Sequence, residues 1–476
     1  MLRTADFNDR LQMTGSGRKG AVRQHDSSPA FVPVVAALLG IGVAISGCVG
    51  FRAGNAPLER VDPSTGYRPS AVARRGAPGG VRLFLAFSGG GTRAAAFAYG
   101  VLEGLRDTPV VVRGKRERLL DEVDVISGVS GGSFPAAYYG LFGDRIFEDF
   151  EERFLNRNVQ RALILQALRP KNLLRLLTPY LTRSELASQY YDRHVFEGAT
   201  FADLTAADGP VIHINATDLS HGYRFTFNQG QFDVICSDLD VFPIARAVAA
   251  SSAVPVLLSP VTLRNYAGRC GFELPAALEE ALQSRRSDPR RYRSALDFTD
   301  YRDPDRKQYI HLIDGGISDN LGLRIAIESV SAVGGIDRVL EIRDVEVPDH
   351  LVVIIVNAET DPNPSIDLNA AAPSLAALMN TISGSQIRRY NLETILLMQN
   401  SVREWAAAFS SDDHVVTPHV IEVSFDVIDD DEQRSSFKLL PTNFKLKDEE
   451  VGRLREAGRS ILLESPEFQR LIRQLQ

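Results

Sequence analysis

The stretch from Glu122 to Leu141 limits the fold most. Val123, Val125 and Ile126 give a short β pattern, and the small apolar residues after Ser133 suit a buried helix. Between them lies Gly128-Val129-Ser130-Gly131-Gly132, a G-x-S-x-G pattern. Strand, tight turn and helix in that order lift a serine hydroxyl above the carboxyl end of a sheet. Gly128 and Gly132 lack a Cβ, so strand and helix can approach closely there. Amides at the start of the helix would favour negative charge developing beside Ser130. G-x-S-x-G also arises in ordinary Gly- and Ser-rich turns, so the rest of the chain must decide.

The chain has 476 residues, 44% of them hydrophobic and 24% charged. That supplies a large core and, by length alone, two or three domains. A net charge of -7 and the absence of a dense basic block argue against nucleic acid as a partner. There are three cysteines, Cys48, Cys236 and Cys270, with no C-x-x-C pair, and no H-E-x-x-H among eight histidines. No metal site and no cofactor are expected.

At the amino end, Arg18, Lys19 and Arg23 precede an uncharged apolar run from Phe31 to Ile45, which closes on Ser46-Gly47-Cys48. A basic region, an apolar region and small residues before a break make a secretory signal peptide, residues 1–47. Ile-Ser-Gly-Cys resembles the lipobox of bacterial lipoproteins, which implies that Cys48 is lipidated and begins the mature chain. Met13 would give a more usual signal length than Met1. The alternatives are an uncleaved anchor helix, weakened by Pro33 and several glycines, and a plain cleavable or buried segment. As a lipoprotein or an anchor helix, the basic flank stays inside and the remainder faces outward. Residues 48–80 are rich in Pro, Gly, Ala and Arg without periodicity and read as a flexible tether.

Val81–Phe87 is the first strand of the domain. Ser88-Gly89-Gly90-Gly91-Thr92-Arg93 follows, and then a helix apolar on most faces from Ala94 to Leu105. Three glycines between strand and helix allow several N–H groups to converge on one anion. Gly89-x-Gly91-x-x-Ala94 also fits a loose dinucleotide fingerprint. That pattern wants an acidic residue after the next strand, yet Val110–Val112 leads into Arg113-Gly-Lys-Arg116. The other readings are an oxyanion loop serving Ser130 and a plain structural turn.

Residues 145–198 are helical in pattern, with Leu163, Ile164, Leu168, Leu173, Leu174, Leu176, Leu177 and Leu181 forming a stripe. Core packing explains such a stripe, and so does a cap over an apolar pocket. Pro210–Thr217 is a strand. Tyr223–Phe227 and Phe232–Ile235 read as a hairpin around Asn228–Gln231. Ile244 to Val254 reads as a helix stopped before Pro255. Residues 264–308 read as a polar surface excursion.

Gln308–Ile313 is a strand, followed by Asp314-Gly315-Gly316 and then Ile-Ser-Asp-Asn320. An aspartate at a strand's carboxyl end sits where α/β sites form, although Asp-Gly-Gly is also an ordinary turn. Taken together, Gly89-Gly-Gly-Thr-Arg93, Gly128-Val-Ser-Gly-Gly132 and Asp314-Gly-Gly316 resemble the patatin-like phospholipases, serine lipid hydrolases with a Ser/Asp dyad. Ala216-Thr217-Asp218, Ala250-Ser-Ser-Ala-Val-Pro255 and Leu440-Pro-Thr-Asn-Phe444 support the likeness. It implies a three-layer α/β/α fold with a mostly parallel sheet over residues 81–476. The core would be about 81–360, with a helical extension over about 361–476. It also implies Ser130 as nucleophile and Asp314 as its base. Gly89, Gly90 and Gly91 would form the oxyanion loop, braced or charged by Arg93. Gly128, Gly132, Gly315 and Gly316 would shape the two turns. Where the family loop often carries Gly or Asp, this chain has Ser88 and Ala94, changes that keep the amide donors.

The implied substrate is a lipid or phospholipid ester. The implied address is a bacterial cell envelope, lipid-anchored and facing the periplasm or exterior. Two rival readings stand beside this one. An α/β-hydrolase triad would place its histidine after the acid, at His350, His414 or His419. A lipid-binding envelope protein would not be an enzyme at all. With Cys48 lipidated, Cys236 and Cys270 remain in an oxidising compartment. They are either bridged, which would pin the polar excursion, or free, and their spacing does not decide.

Overall fold

The computed structural model describes residues 54–69, 80–112, 114–176, 181–255, 257–342, 346–361, 370 and 375–476. The signal peptide, Cys48 and part of the expected tether lie outside the described residues.

In chain order the strands are β1 (Ala56–Pro57), β2 (Val81–Phe87), β3 (Pro109–Val112), β4 (Lys115–Arg118), β5 (Val123–Val129), β6 (Val211–Asp218), β7 (Arg224–Thr226), β8 (Ser237–Asp238), β9 (Val261–Arg264), β10 (Tyr309–Asp314), β11 (His350–Asn357) and β12 (Thr417–Ser424). The central sheet runs β12–β11–β2–β5–β6–β10–β9, and β7 adds to β6. Pairings from β12 across to β6 are parallel. Those of β6 with β10, β10 with β9 and β6 with β7 are antiparallel.

Parallel strands covered on both faces read as near-continuous apolar runs. All eight residues of β6 are buried, as are Val352 to Asn357 of β11. Alternation then sorts side chains between two layers. Leu83, Leu85 and Phe87 of β2 face the larger core, which contains α1 (Gly91–Arg106) and α2 (Ser133–Phe142). Ala86, Val353 and Ile355 face a smaller core with Ile395, Met398 and Val402.

Four expectations change. Residues 54–69 are not a tether. Asn55 donates to Ser237 Oγ and Arg264 O, β1 pairs with β8, and Tyr67 is fully buried with its hydroxyl on Ile212. Low periodicity hid this because the contacts are single residues, not a face. Of the leucine stripe, the residues from Leu163 to Leu176 fall on or beside α3 (Val159–Ala167) and α4 (Pro170–Leu176) and are mostly exposed, Leu181 is buried, and Leu177 lies outside the described residues. Tyr223–Ile235 is not a hairpin: after β7, Asn228 caps a helix, α5 (Gln229–Val234), by accepting the Gln231 N–H. The polar excursion holds two helices, α6 (Ala276–Gln283) and α7 (Pro289–Thr299), the second capped by Asp288.

The carboxyl region completes the sheet and covers it. β12 pairs along the full length of β11, and α8 (Leu375–Phe409) lies on the smaller core. α9 (Asp448–Glu464) crosses α1, where Arg455 Nε donates to Glu103 at 2.6 Å. No helix among the described residues is long and apolar enough to cross a membrane.

Candidate active site

Ser130 follows the last residue of β5 and opens the single 3₁₀ turn that leads into α2. Its φ is +49°, in the left-handed region. Such a backbone is strained for a non-glycine residue and persists only where the surroundings enforce it. The surroundings here are dense. A Cβ on Gly131 would overlap the Gly91 backbone, so only glycine fits where the two loops touch. Ser130 N–H donates to Ser251 Oγ at 2.9 Å, and Ser251 Oγ donates to Asn215 O at 2.6 Å. This relay fastens the turn to β6.

Asp314 is the last residue of β10. Ser130 Oγ donates to its Oδ2 at 2.7 Å, and Gly316 N–H donates to its Oδ1 at 2.8 Å. Asp314 N–H donates to Ala253 O at 3.0 Å, and Thr217 Oγ1 donates to the Asp314 carbonyl at 2.8 Å. Burial pushes the carboxyl up to about 6, against the opposing pull of the Ser130 and Gly316 hydrogen bonds. The group is thus ionised at neutral pH yet close to its proton-binding range, which suits a general base.

The glycine loop lies across the turn. Gly89 N–H donates to Asn320 O at 3.0 Å, so this expected donor is already committed. The Gly90 and Gly91 N–H groups have no acceptor among the described residues. Gly91 has φ +61°, and a Cβ there would run into the Asn443 backbone. Thr92 N–H donates to that same Asn443 carbonyl at 2.9 Å. Gly132 backs onto the Phe87 and Ser88 carbonyls, and Gly315 N–H donates to Ser251 O at 3.0 Å.

Arg93 braces this loop. Its Nε donates to Ala358 O at 3.0 Å, Nη1 to Leu440 O at 2.7 Å and Nη2 to Thr442 Oγ1 at 3.1 Å. Burial lowers its pKa to about 10. The guanidinium is spent on tying the start of α1 to the carboxyl region.

The three histidines a triad would need lie at the opposite end of the sheet. His350 pairs with Val81 at the start of β2, while the glycine loop follows the other end of that strand. Seven residues of strand separate the two ends by roughly 20 Å. His419 Nδ1 is on Glu467 Oε1 at 2.8 Å, and His414 Nε2 is on Pro348 O at 3.1 Å.

A family model described as patatin-like phospholipase matches residues 85–327. The chain belongs to that family. The matched segment runs from β2 past Asp314 and includes both patatin turns. Family membership supports lipid hydrolase chemistry. No curated protein matches the sequence. Among solved structures the chain is similar to human GIVD cytosolic phospholipase A2, at 12% identity and a TM-score of 0.40, covering 86% of this chain and 66% of that one. It is also similar to the complex of that protein with methyl gamma-linolenyl fluorophosphonate, at 15% identity and a TM-score of 0.38, covering 83% and 59%. The chain therefore spans just under two thirds of that protein at most.

Two supporting residues of this patatin-like site, and one that anchors a surface segment, escaped the sequence reading. Ser251 lies within Ala250–Pro255, and Asn320 lies just past Asp314-Gly-Gly316, so both sat in motifs already noted. Lys307 carried no local signal. Its Nζ lies 2.6 Å from Asp218 Oδ2 and 3.1 Å from Asp300 Oδ2, and all but a trace of the side chain is buried. Asp218 of the Ala-Thr-Asp segment is therefore an anchor for residues 264–308, remote in role from the nucleophile. Cys236 and Cys270 are joined by a disulfide, with Cα atoms 5.4 Å apart.

Proposed function

We propose that this chain is a serine acyl hydrolase of the phospholipase A or esterase type, working through a Ser130–Asp314 dyad. Ser130 Oγ attacks the ester carbonyl while Asp314 takes its proton and returns it to the leaving alcohol. The carbonyl oxygen gains negative charge and is met by the Gly90 and Gly91 amides, a type of contact worth about 10²–10³ in kcat per donor. Water then attacks the acyl-Ser130 ester, with Asp314 again holding the proton.

The observation that carries this reading is the 2.7 Å hydrogen bond from Ser130 to a buried Asp314. The rival triad has no support from His350, His414 or His419, which lie at the end of the sheet away from Ser130. A fluorophosphonate tests the proposal. Mass spectrometry should find one adduct, on Ser130, and none in Ser130→Ala. Folded wild-type protein that takes no label would contradict it.

The same reading holds the domain at a bacterial envelope membrane through a lipid on Cys48, with the site facing the periplasm or exterior. Its support is Ile45-Ser46-Gly47-Cys48 in the sequence. Labelled fatty acid should enter the wild type and not Cys48→Ala, and a wild type without label would refute the anchor.

A further inference from the structure

α3 and α4 expose an apolar cluster. Ile164, Leu165, Leu168, Leu173 and Leu174 are each between 51% and 69% accessible, and Leu257 beside them is 40% accessible. Clustered exposure of this kind marks an interaction site, whereas scattered exposed leucines do not. The charges around the cluster are one-sided. From Asn156 to Ser184 the sequence holds Arg157, Arg161, Arg169, Lys171, Arg175 and Arg183 and no Asp or Glu, in a chain whose net charge is -7.

An apolar groove opens on the same face. Leu163, Ile164 and Ala167 of α3 form one wall, and Leu257, Leu258 and Phe444 contribute to the rest. The groove is built from segments that also flank the dyad. Phe444 follows Asn443, which accepts the Thr92 N–H, and Gln160 N–H donates to Phe444 O at 3.3 Å. Leu258 N–H donates to Val254 O at 2.9 Å, next to Ala253, whose carbonyl accepts Asp314 N–H.

We infer that the α3–α4 face docks onto an anionic lipid bilayer. Short helices with exposed leucines and only basic charges suit the interface of such a bilayer. The leucines enter the boundary between headgroups and acyl chains, and the cations meet the anionic headgroups. A second copy of this chain fits poorly, because pairing this face with itself would bring the basic residues of α3 and α4, which carry no acidic residue, against one another. The inference rests on exposure and charge and stands or falls apart from the hydrolase reading. Where both hold, the groove takes an acyl chain from the bilayer toward Ser130.

The test uses the full chain with Ser130→Ala, so that vesicles stay intact. Trp405 is the one tryptophan in the sequence. Trp405→Phe combined with Leu173→Trp places the only indole on α4, at a position already exposed. Vesicles of phosphatidylcholine and phosphatidylglycerol with brominated acyl chains should quench and blue-shift its emission. Arg161→Gln, Arg169→Gln and Lys171→Gln should each weaken that docking about fivefold. Vesicle-bound protein whose indole is not quenched would overturn the inference, since the anchor would then lie elsewhere and this face would meet water or another protein. Equal quenching on pure phosphatidylcholine would overturn the requirement for anionic lipid.

Discussion

Asp314 is a carboxylate held where burial opposes its charge. Its folded pKa of about 6 lies above the ordinary 3.8. Between about pH 4 and 6 the folded chain therefore binds more protons than the unfolded chain, and stability falls as pH rises through that window. Asp314→Asn removes this cost and should stabilise the fold by roughly 2–3 kcal/mol at neutral pH, with little effect near pH 4. Denaturant melts at both pH values check this, and equal stability of wild type and variant at neutral pH would contradict it. Ester hydrolysis by the wild type should rise with pH through about 6. Ser130 and Asp314 were legible because strained turns select glycines around them, and glycines leave a pattern. Ser251 and Lys307 were not, because their partners lie 121 and 89 residues away and are chosen by the register of the sheet.

At the scale of the element, the start of α1 depends on Arg93. Three hydrogen bonds to Ala358, Leu440 and Thr442 need a planar fork of donors, which a lysine ammonium does not reproduce. Arg93→Lys should cost about 2–4 kcal/mol, since hydrogen bonds to charged groups contribute roughly 1.5–3 kcal/mol each. It should also lower kcat, by loosening the Gly90–Gly91 amides. A variant as stable and as active as wild type would show that the bracing is dispensable. The strands and long helices were readable because their apolar periods are set by the layers they join. The Asn228 helix and the two helices of residues 264–308 were misread for a physical reason. Each is short, and two of the three begin on a capping side chain, Asn228 and Asp288, so little apolar periodicity marks them.

Across the whole molecule, the site is assembled from distant parts of the chain. The family match ends at residue 327, but Asn443 seats the glycine loop and β11 and β12 finish the sheet. Residues 54–69 join through backbone contacts to both bridged cysteines, Leu58 N–H to Cys236 O at 2.8 Å and Val61 N–H to Cys270 O at 3.1 Å. Closing a loop of 34 residues stabilises a fold by about 3–4 kcal/mol on the chain-entropy model. Reductant should lower the denaturation midpoint accordingly while leaving the Ser130–Asp314 pair, which is remote in sequence from the bridge, able to take a fluorophosphonate. An unchanged midpoint would mean that the bridge adds nothing. Sequence composition could not reveal this amino-terminal strap, since its contacts are made one residue at a time.

The central claim is a dyad without histidine, and hydrolysis of a soluble ester by four purified variants tests it most directly. Asp314→Asn should lose about 10²–10⁴ in kcat, the usual worth of general acid–base help, while remaining folded. His350→Ala, His414→Ala and His419→Ala should each stay within about tenfold of wild type, a change of less than 1.4 kcal/mol. A folded histidine variant with no turnover, beside an active Asp314→Asn, would contradict the account.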